Sequence, residues 1–367
     1  MHLSRQLIVA VIILYVLGLV MIFNTSSAEA IDLALYGNTH NAFFKQIFYT
    51  LLGAGGAYFC YRLGYKKLLE LSPVALAVVS FMLLLVFVPG IGLKVNGSRR
   101  WISIAKFSIQ PSEFVKFIGP AFLIHSLSKI KGAIELKPFL HLAAILAIPM
   151  LLILAEPNNG TAGVFGCVLA VVCFLANVPW RFWLVPLAIC AVLGTTLALQ
   201  LPYVAKRIEV YLNPELDLKG KGHQPHQAKI AAGSGGVLGK GPGKSLQKLS
   251  YLPEAQNDYI AAIFAEEYGF LGMLVLVATY VWLGFIAFSI AIRAPDNPGL
   301  YLGAIIAFLY SFQAFLNLGV VSGLVPPTGL NLPFFSQGGS SLIANVSALG
   351  LLMSIEKERE ALPVCVS

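Results

Sequence analysis

Long apolar segments separated by polar connections run through almost the whole chain. Ten of these segments are long enough to cross a bilayer as a helix, since about 20 apolar residues span its hydrocarbon core. They lie near residues 6–24, 43–62, 72–91, 112–128, 138–155, 160–178, 181–200, 262–292, 300–323 and 338–356. The pattern predicts an all-α polytopic membrane protein of about ten transmembrane helices, with residues 1–367 forming a single integral membrane domain.

The polar connections distribute their basic residues asymmetrically. If the segments cross the membrane in turn, the lysine and arginine residues of the loops other than 92–111 and 201–261 fall on the same side as Arg5. Cytoplasmic loops carry the excess of lysine and arginine in membrane proteins, so both termini are predicted to be cytoplasmic. These loop cations are Arg62, Lys66, Lys67, Lys129, Lys131, Lys137, Arg181, Arg293, Lys357 and Arg359.

The first apolar segment also resembles a secretory signal. Arg5 precedes it, and the sequence Ala-Glu-Ala at residues 28–30 resembles a cleavage site. However, the apolar run of residues 7–23 is longer than the core of a usual signal and matches a full span. We therefore expect an uncleaved first helix.

Composition supports a membrane protein and narrows its partners. The chain is 57% hydrophobic and 11% charged with a mean hydropathy of +0.79, whereas soluble domains are about 25% charged. The net charge of +8 comes from residues in loops, so membrane lipids rather than nucleic acid are the expected partners. The five cysteines and six histidines show no metal-ligand spacing, and no metal site is predicted from them.

Two connections on the predicted outer side break the charge rule. The shorter one, residues 92–111, carries Lys94, Arg99, Arg100 and Lys106. The longer one, residues 201–261, is a large extracytoplasmic loop between the seventh and eighth segments with eight lysine or arginine residues. An anionic partner such as a lipid phosphate or pyrophosphate is the natural reason for outer cations. For the longer loop, a solvated segment that merely tolerates charge is the alternative.

The start of the fourth segment combines helix-initiating residues with an ionisable one. Pro111 suits the first helical position, and Glu113 stands where a capping-box acid bonds back to the cap. Lys116 lies one turn beyond Ser112, on the same face and inside the apolar region. A lysine there is a functional candidate that needs a partner, and a lysine snorkelling to the interface is the alternative.

The partner expected for Lys116 is Asp258, just before the eighth segment. A carboxylate at the mouth of a basic cleft can act as general base on a sugar hydroxyl, and a neighbouring lysine keeps it ionised or steadies a phosphate leaving group. Glu266 and Glu267, two turns further on, are alternative bases or structural acids near a helix N-terminus.

Two glycine-rich stretches are candidate phosphate-binding turns. Residues 233–245 lack a Walker motif, because Leu238 stands where its first glycine is needed, so nucleotide binding is not expected. Exposed backbone N–H groups in such a turn can still hold phosphate. Residues 326–341 either present a helix N-terminus to the same polar cavity or supply small residues for close helix packing.

Four motifs resemble the SEDS family of bacterial shape, elongation, division and sporulation proteins over nearly the whole chain. They are Asn96–Trp101, Gln110–Glu113 with Lys116, Leu252–Glu267 and Pro327–Ser341. Residues 88–92, 207–214 and 239–255 resemble the division branch of the family more than its elongation branch. The resemblance implies a peptidoglycan glycosyltransferase that polymerises lipid II on the outer face of the bacterial inner membrane, at the division septum.

The resemblance also implies roles for single residues. Asp258 matches the catalytic aspartate of the family and would deprotonate the 4-hydroxyl of the acceptor sugar, which displaces undecaprenyl pyrophosphate with inversion. Lys116 matches its buried catalytic lysine, and Arg99 and Arg100 would contact pyrophosphate. The further substrate-binding candidates are Gln110, Ser112, Glu113, Lys240, Glu254, Glu267, Ser340 and Ser341. A class B penicillin-binding transpeptidase and other divisome proteins are the implied partners.

Some positions depart from the family pattern and leave other functions open. Asn158 replaces a usual aspartate, for which Glu156 is a candidate displaced carboxylate, and Gln337 replaces a common tyrosine. No cofactor is required by the sequence, and a divalent ion such as Mg or Mn is left open. The alternatives to a polymerase are a lipid II flippase, which predicts ionisable residues through the membrane midplane, and a non-catalytic scaffold that recruits a transpeptidase.

Overall fold

The computed structural model describes residues 3–32, 41–95, 98–104, 107–188, 211, 222–248 and 256–361. Most of these residues are helical. In chain order the helices are α1 (Leu3–Asp32), α2 (Asn41–Leu63), α3 (Tyr65–Leu85), α4 (Pro111–Ser128), α5 (Leu136–Ala155), α6 (Asn159–Leu175), α7 (180–188), α8 (His223–Ser234), α9 (Ile260–Ile292), α10 (Asn297–Val321) and α11 (Gly339–Ala361). The strands are β1 (Gly92–Val95), β2 (Ser98–Ile104) and β3 (Phe107–Ile109).

Six of the described helices are long and apolar enough to cross a membrane: α1, α3, α5, α9, α10 and α11. Helix α6 is a shorter apolar helix, and α2 and α4 coincide with two more of the predicted segments. The seventh predicted segment, 181–200, is described only as far as residue 188. The predicted polytopic membrane fold is therefore confirmed. The large loop predicted for 201–261 is described at residues 211, 222–248 and 256–261.

Consecutive long helices run in opposite directions, so the chain alternates between two ends of the bundle. The three strands lie at one end, which we call the sheet end. The other, the basic end, contains the short loops whose lysine and arginine residues lie on the same side as Arg5, and polar contacts join its helices. Tyr65 donates to Asp296 (2.9 Å), Lys66 lies 2.6 Å from Glu358, and Ser4 donates to Glu356.

Helix α3 begins at Tyr65, seven residues before the predicted start at residue 72. Its first turns contain Lys66 and Lys67, which are charged and therefore fall outside an apolar window. The ion pair between Lys66 and Glu358 links these first turns to the end of α11. The helix thus extends beyond the hydrophobic segment that predicted it.

The sheet at residues 92–109 departs from the all-α prediction. It is an antiparallel meander in the order β1-β2-β3, with Ile102 of β2 paired to Gly92 on one side and to Ile109 on the other. β-Branched residues favour strands, and the side chain of Ile102 in the central strand is buried. The connection is therefore a folded element, too short and too polar to be a span.

Close helix packing brings α11 against α2. A Cβ atom on Gly350 would lie 2.1 Å from the carbonyl oxygen of Ala57, so the two backbones approach as only small residues allow. Helix α10 packs along α9, and α3 along α4. These contacts hold the helix ends that surround the site described below.

Candidate active site

Two polar cavities lie side by side at the sheet end. The first, of about 450 Å³, is bounded by α2, β2 and the start of α11. The second, of about 510 Å³, is bounded by the α5–α6 turn and the loop before α11. Both are lined by Arg100, Gln224, Asp258, Tyr259 and Gly329, so these residues mark the junction of the two cavities.

Asp258 lies in the turn that leads into α9. Its backbone carbonyl accepts a hydrogen bond from Asn317 Nδ2 (2.8 Å), and the same amide donates to the carbonyl of Leu330 (2.8 Å). A Cβ atom on Gly329 would lie 3.8 Å from Asp258 Oδ2, which places the carboxylate against the loop before α11. Burial, together with the charge of Asp258, raises the pKa of the Tyr259 hydroxyl, so this neighbour stays protonated.

Arg100 reaches the junction from strand β2. Its guanidinium donates from Nε to the carbonyl of Glu156 (3.1 Å) and from Nη2 to the carbonyl of Pro157 (2.6 Å). Pro157 has a φ of 30°, in the left-handed region, within the turn between α5 and α6. This turn therefore holds the arginine at the cavity junction, and a planar guanidinium there suits phosphate recognition.

Besides Arg100, three predicted substrate-binding residues line the first cavity: Gln110, Ser340 and Ser341. The backbone N–H of Gln110 donates to Ser340 Oγ (2.8 Å), which joins the start of α4 to the start of α11. Ser341 Oγ accepts from Asn345 Nδ2 (3.2 Å). The N-terminus of α11 therefore faces the cavity, where helix N-termini favour anions.

Lys116 is buried within α4 and is paired differently from the prediction. Its side chain is 1% exposed, so it does not snorkel to an interface, and its Nζ lies 2.8 Å from Glu113 Oε2. The sequence named Asp258 as its partner, whereas the structure supplies Glu113 from the same helix. Glu113 consequently does not form the predicted capping box, and Gln110, the cap residue, has no side-chain cap hydrogen bond. A catalytic role for Lys116 stays a prediction.

The residues around Asn158, which replaces an aspartate usual in the family pattern, are largely buried. Asn158 lines the second cavity and donates from Nδ2 to Ser112 Oγ (3.3 Å), which is itself fully buried. Glu156 is not among the described residues that line either cavity, so the structure does not place it as a substitute carboxylate there. Arg99 donates from Nη1 to the carbonyl of Phe87 (3.3 Å), away from the described cavity linings.

Glu266 and Glu267 belong to a separate polar cluster, where the glycine-rich segment packs on α9. Glu267 accepts from Lys248 Nζ (3.0 Å) and Asn24 Nδ2 (2.7 Å). Lys240 Nζ lies 2.6 Å from Glu266 Oε1. Both carboxylates are buried and hydrogen-bonded, which is the geometry of structural ion pairs. The last predicted binding residue, Glu254, lies outside the described residues.

The described residues offer no recognisable set of metal ligands. Among them, no three His, Cys, Asp or Glu side chains are grouped closely enough to hold a metal ion. Asp258 is the one carboxylate among the described lining residues of the two cavities. We therefore assign no metal ligands and derive no catalytic step through a metal.

The structure adds lining residues that sequence reasoning missed. Lys45 of α2 lines the first cavity, and as a cation on the predicted outer side it satisfies the same charge criterion as Arg100. Gln224 of α8 lines both cavities, and Asn317 positions Asp258. Neither carries a charge or a diagnostic spacing, so only the tertiary structure reveals them.

Related sequences extend over nearly the whole chain. The chain matches the sequence profile of the cell cycle protein family FtsW/RodA/SpoVE over residues 5–361. It is 36% identical over 363 residues to a probable peptidoglycan glycosyltransferase FtsW of Trichlorobacter lovleyi, covering 98% of this chain and 94% of that protein. It is also 36% identical over 360 residues to stage V sporulation protein E of Bacillus subtilis, with 96% of each chain covered.

Solved structures share the fold. A chain from a peptidoglycan synthase complex superposes with a TM-score of 0.78 at 28% identity, covering 96% of this chain and 97% of that one. The rod shape determining protein RodA of Thermus thermophilus gives a TM-score of 0.69 at 27% identity, with 96% of each chain covered. Sequence and fold agree with the resemblance seen in the motifs, and the chain belongs to the FtsW/RodA/SpoVE family of cell cycle proteins.

Proposed function

We propose that this protein is a peptidoglycan glycosyltransferase that polymerises lipid II, a lipid-linked disaccharide-peptide, into glycan strands during cell division. Relatives at 36–38% identity named probable peptidoglycan glycosyltransferase FtsW support this activity. The geometry supports it separately, because the site provides two substrate cavities, a candidate base and cations for a phosphate leaving group.

The main support for this proposal is that the two polar cavities meet at the carboxylate of Asp258 and the guanidinium of Arg100. Polymerisation joins two bulky sugar substrates, a donor and an acceptor, and each needs a pocket that opens on the same reacting centre. Cavities of about 450 and 510 Å³ have the size of small-molecule sites, roughly 300–1,000 Å³. Asp258 and Arg100 stand where the two substrates would meet.

Asp258 acts as general base in this scheme. Its carboxylate takes the proton of the acceptor 4-hydroxyl, whose oxygen attacks the anomeric carbon of the donor. The bond from that carbon to the lipid pyrophosphate breaks as the glycosidic bond forms, and the pyrophosphate leaves with the bonding electrons. A single displacement inverts the anomeric configuration from α to β. Arg100 and Lys45 stabilise the negative charge that accumulates on the leaving group.

The sheet end is proposed to face the outside of the inner membrane, with both termini in the cytoplasm. Apart from the 92–111 and 201–261 connections, the lysine and arginine residues of the loops lie at the basic end, which supports this orientation. A class B penicillin-binding transpeptidase at the division septum is the proposed partner. The structural similarity to a chain of a peptidoglycan synthase complex supports that pairing.

The proposal is tested by glycan synthesis from purified lipid II with the partner transpeptidase present. We expect polymer from the wild type and a loss of at least about 100-fold for Asp258→Asn, which keeps the side-chain shape but cannot accept the proton. Glu135→Gln, at an exposed acid of the basic end, is the matched control and should polymerise normally.

The same preparations separate the alternatives. A flippase would move lipid II across a liposome bilayer without forming polymer, and a scaffold would recruit the transpeptidase equally well with either residue at 258. Undiminished polymer from Asp258→Asn would remove this aspartate from the reaction. Absence of polymer from folded wild-type protein with a competent partner would reject the proposed activity.

A further inference from the structure

An apolar cavity of about 330 Å³ lies among α4, α5, α6 and α7, apart from the two polar cavities. Phe139 and Phe182 line its end near the starts of α5 and α7, with ring centroids 6.2 Å apart, so this end lies at the basic end of the bundle. Leu140 and Leu184 are exposed beside it. The cavity therefore opens on an apolar surface that faces lipid.

An acyl chain suits this cavity better than a partner helix, because an α-helix with its side chains is about 10 Å across. An acyl chain is narrower and flexible, and it matches a lining made almost entirely of apolar side chains such as Leu146 and Met150.

Basic and aromatic residues surround the end of the cavity where a lipid headgroup would lie. Residues 129–137 and 176–181 contain four basic side chains and one acidic one. Arg181 is exposed next to Phe182, and its guanidinium carbon lies 5.6 Å from the ring centroid of Trp180. Tryptophan favours the level of lipid headgroups, and basic pockets between helices favour anionic ones.

We propose that this cavity binds one acyl chain of an anionic phospholipid whose phosphate is held by Arg181. The hydrocarbon chain fills the space between α5, α6 and α7, and the headgroup neutralises the charge at the basic end. Among the described residues this site shares no lining residue with the polar cavities, so the proposal does not depend on the proposed glycosyltransferase activity.

Native mass spectrometry of the purified full-length protein tests the headgroup contact. Phosphatidylglycerol and phosphatidylcholine with identical acyl chains are offered in equal amounts. We expect the wild type to retain phosphatidylglycerol with about a fivefold preference, and Arg181→Gln to lose that preference. Lys357→Gln, another cation of the basic end that does not line the cavity, is the matched control and should keep it.

A second variant tests the chain contact. Ala147→Phe places a ring in the cavity and should reduce retention of both lipids, while its thermal midpoint in detergent stays near that of the wild type. Soluble glycerol phosphate should not displace the bound lipid, because it lacks the acyl chain. Equal retention of the two lipids by the wild type, an unchanged preference in Arg181→Gln, or displacement by glycerol phosphate would each overturn the proposal.

Discussion

Glu156, in the turn between α5 and α6, is a buried carboxyl group without a hydrogen-bond partner among the described residues. Its side chain is 1% exposed, and both carboxylate oxygens are unpaired within that part of the chain. Burial raises its pKa from 4.5 to about 8, and the positive charge of Arg100 opposes this shift only in part. At neutral pH the group therefore holds its proton.

This single residue makes stability depend on pH. The folded protein binds this proton more tightly than the unfolded chain, so the contribution of Glu156 to the free energy of unfolding is largest below pH 4.5 and decreases as the pH rises to about 8. The contribution of Glu156 changes by up to about 1.4 kcal/mol per pH unit in that window. Thermal unfolding midpoints in detergent, measured across it, should decline more steeply for the wild type than for Glu156→Gln.

The matched control for this measurement is Glu135→Gln. Glu135 is exposed at the basic end, and replacing it should leave the wild-type pH dependence in place. If Glu156→Gln instead follows the wild-type curve at every pH, the carboxyl group is ionised or paired in the folded protein.

Other buried ionisable residues, unlike Glu156, have hydrogen-bond or ion-pair partners. Lys116 has Glu113, and Glu267 has Lys248 and Asn24. The sequence correctly indicated that charges next to apolar segments need partners. It could not select them, because a partner from the same helix and one from a distant loop are equally compatible with spacing along the chain.

At the scale of elements, α9 is interrupted where the glycine-rich segment crosses it. Gly269 has φ 64° and ψ −162°, a conformation that is accessible almost only to glycine. A Cβ atom there would lie 2.3 Å from the backbone nitrogen of Gly239. Backbone hydrogen bonds from Phe270 to Gly236 (2.9 Å) and from Leu271 to Val237 (3.1 Å) use the groups that the interruption frees.

Replacing Gly269 by alanine should therefore destabilise this junction. We expect Gly269→Ala to lower the free energy of unfolding by at least about 2 kcal/mol, since backbone strain and a backbone clash act together. Thermal unfolding in detergent measures it. Gly163→Ala in α6, where a Cβ atom meets nothing within 4 Å, is the control and should be neutral or stabilising. Equal midpoints for the two variants would contradict this account.

The sequence predicted the elements that are defined by the length of an apolar segment. It did not predict those that are defined by contacts between separate segments of the chain. The long apolar helices were expected, because a bilayer requires their length and composition. The sheet at residues 92–109 was not, since its strands are short and its register depends on contacts such as Ile102 with Ile109. The glycine-rich segment was recognised as a turn, but its docking on α9 depends on two glycines that are 30 residues apart.

At the scale of the whole molecule, Asn317 joins the elements that form the cavity junction. Its amide donates to the carbonyls of Asp258 and Leu330, which belong to segments far apart in sequence. Asn317→Asp keeps the shape but lacks the donor, so the turn that carries Asp258 should lose its position. A misplacement near 1 Å lowers turnover by about 100-fold, and we expect a loss of polymerisation of about 10- to 100-fold.

Glycan synthesis at saturating lipid II checks this expectation, because a displaced base lowers kcat more than it raises KM. Ser311→Ala is the control on the same helix, as its hydroxyl bonds only within α10 in the described structure, to the carbonyl of Ala307. Normal turnover by a folded Asn317→Asp would mean that Asp258 does not need this support.

The sequence by itself determined the membrane fold, the family and the outer segments that contain the candidate site, because these follow from apolar length, loop charge and local motifs. Only the tertiary structure decided that Arg100, Asp258 and Gln224 meet at one junction. It also decided the ion pairs: Lys116 pairs with Glu113, and Glu266 and Glu267 pair with lysines of the glycine-rich segment and its continuation. The physical reason is that each apolar residue of a span favours the bilayer independently of its neighbours in the fold. The partner of a buried polar group, by contrast, depends on which helices pack together.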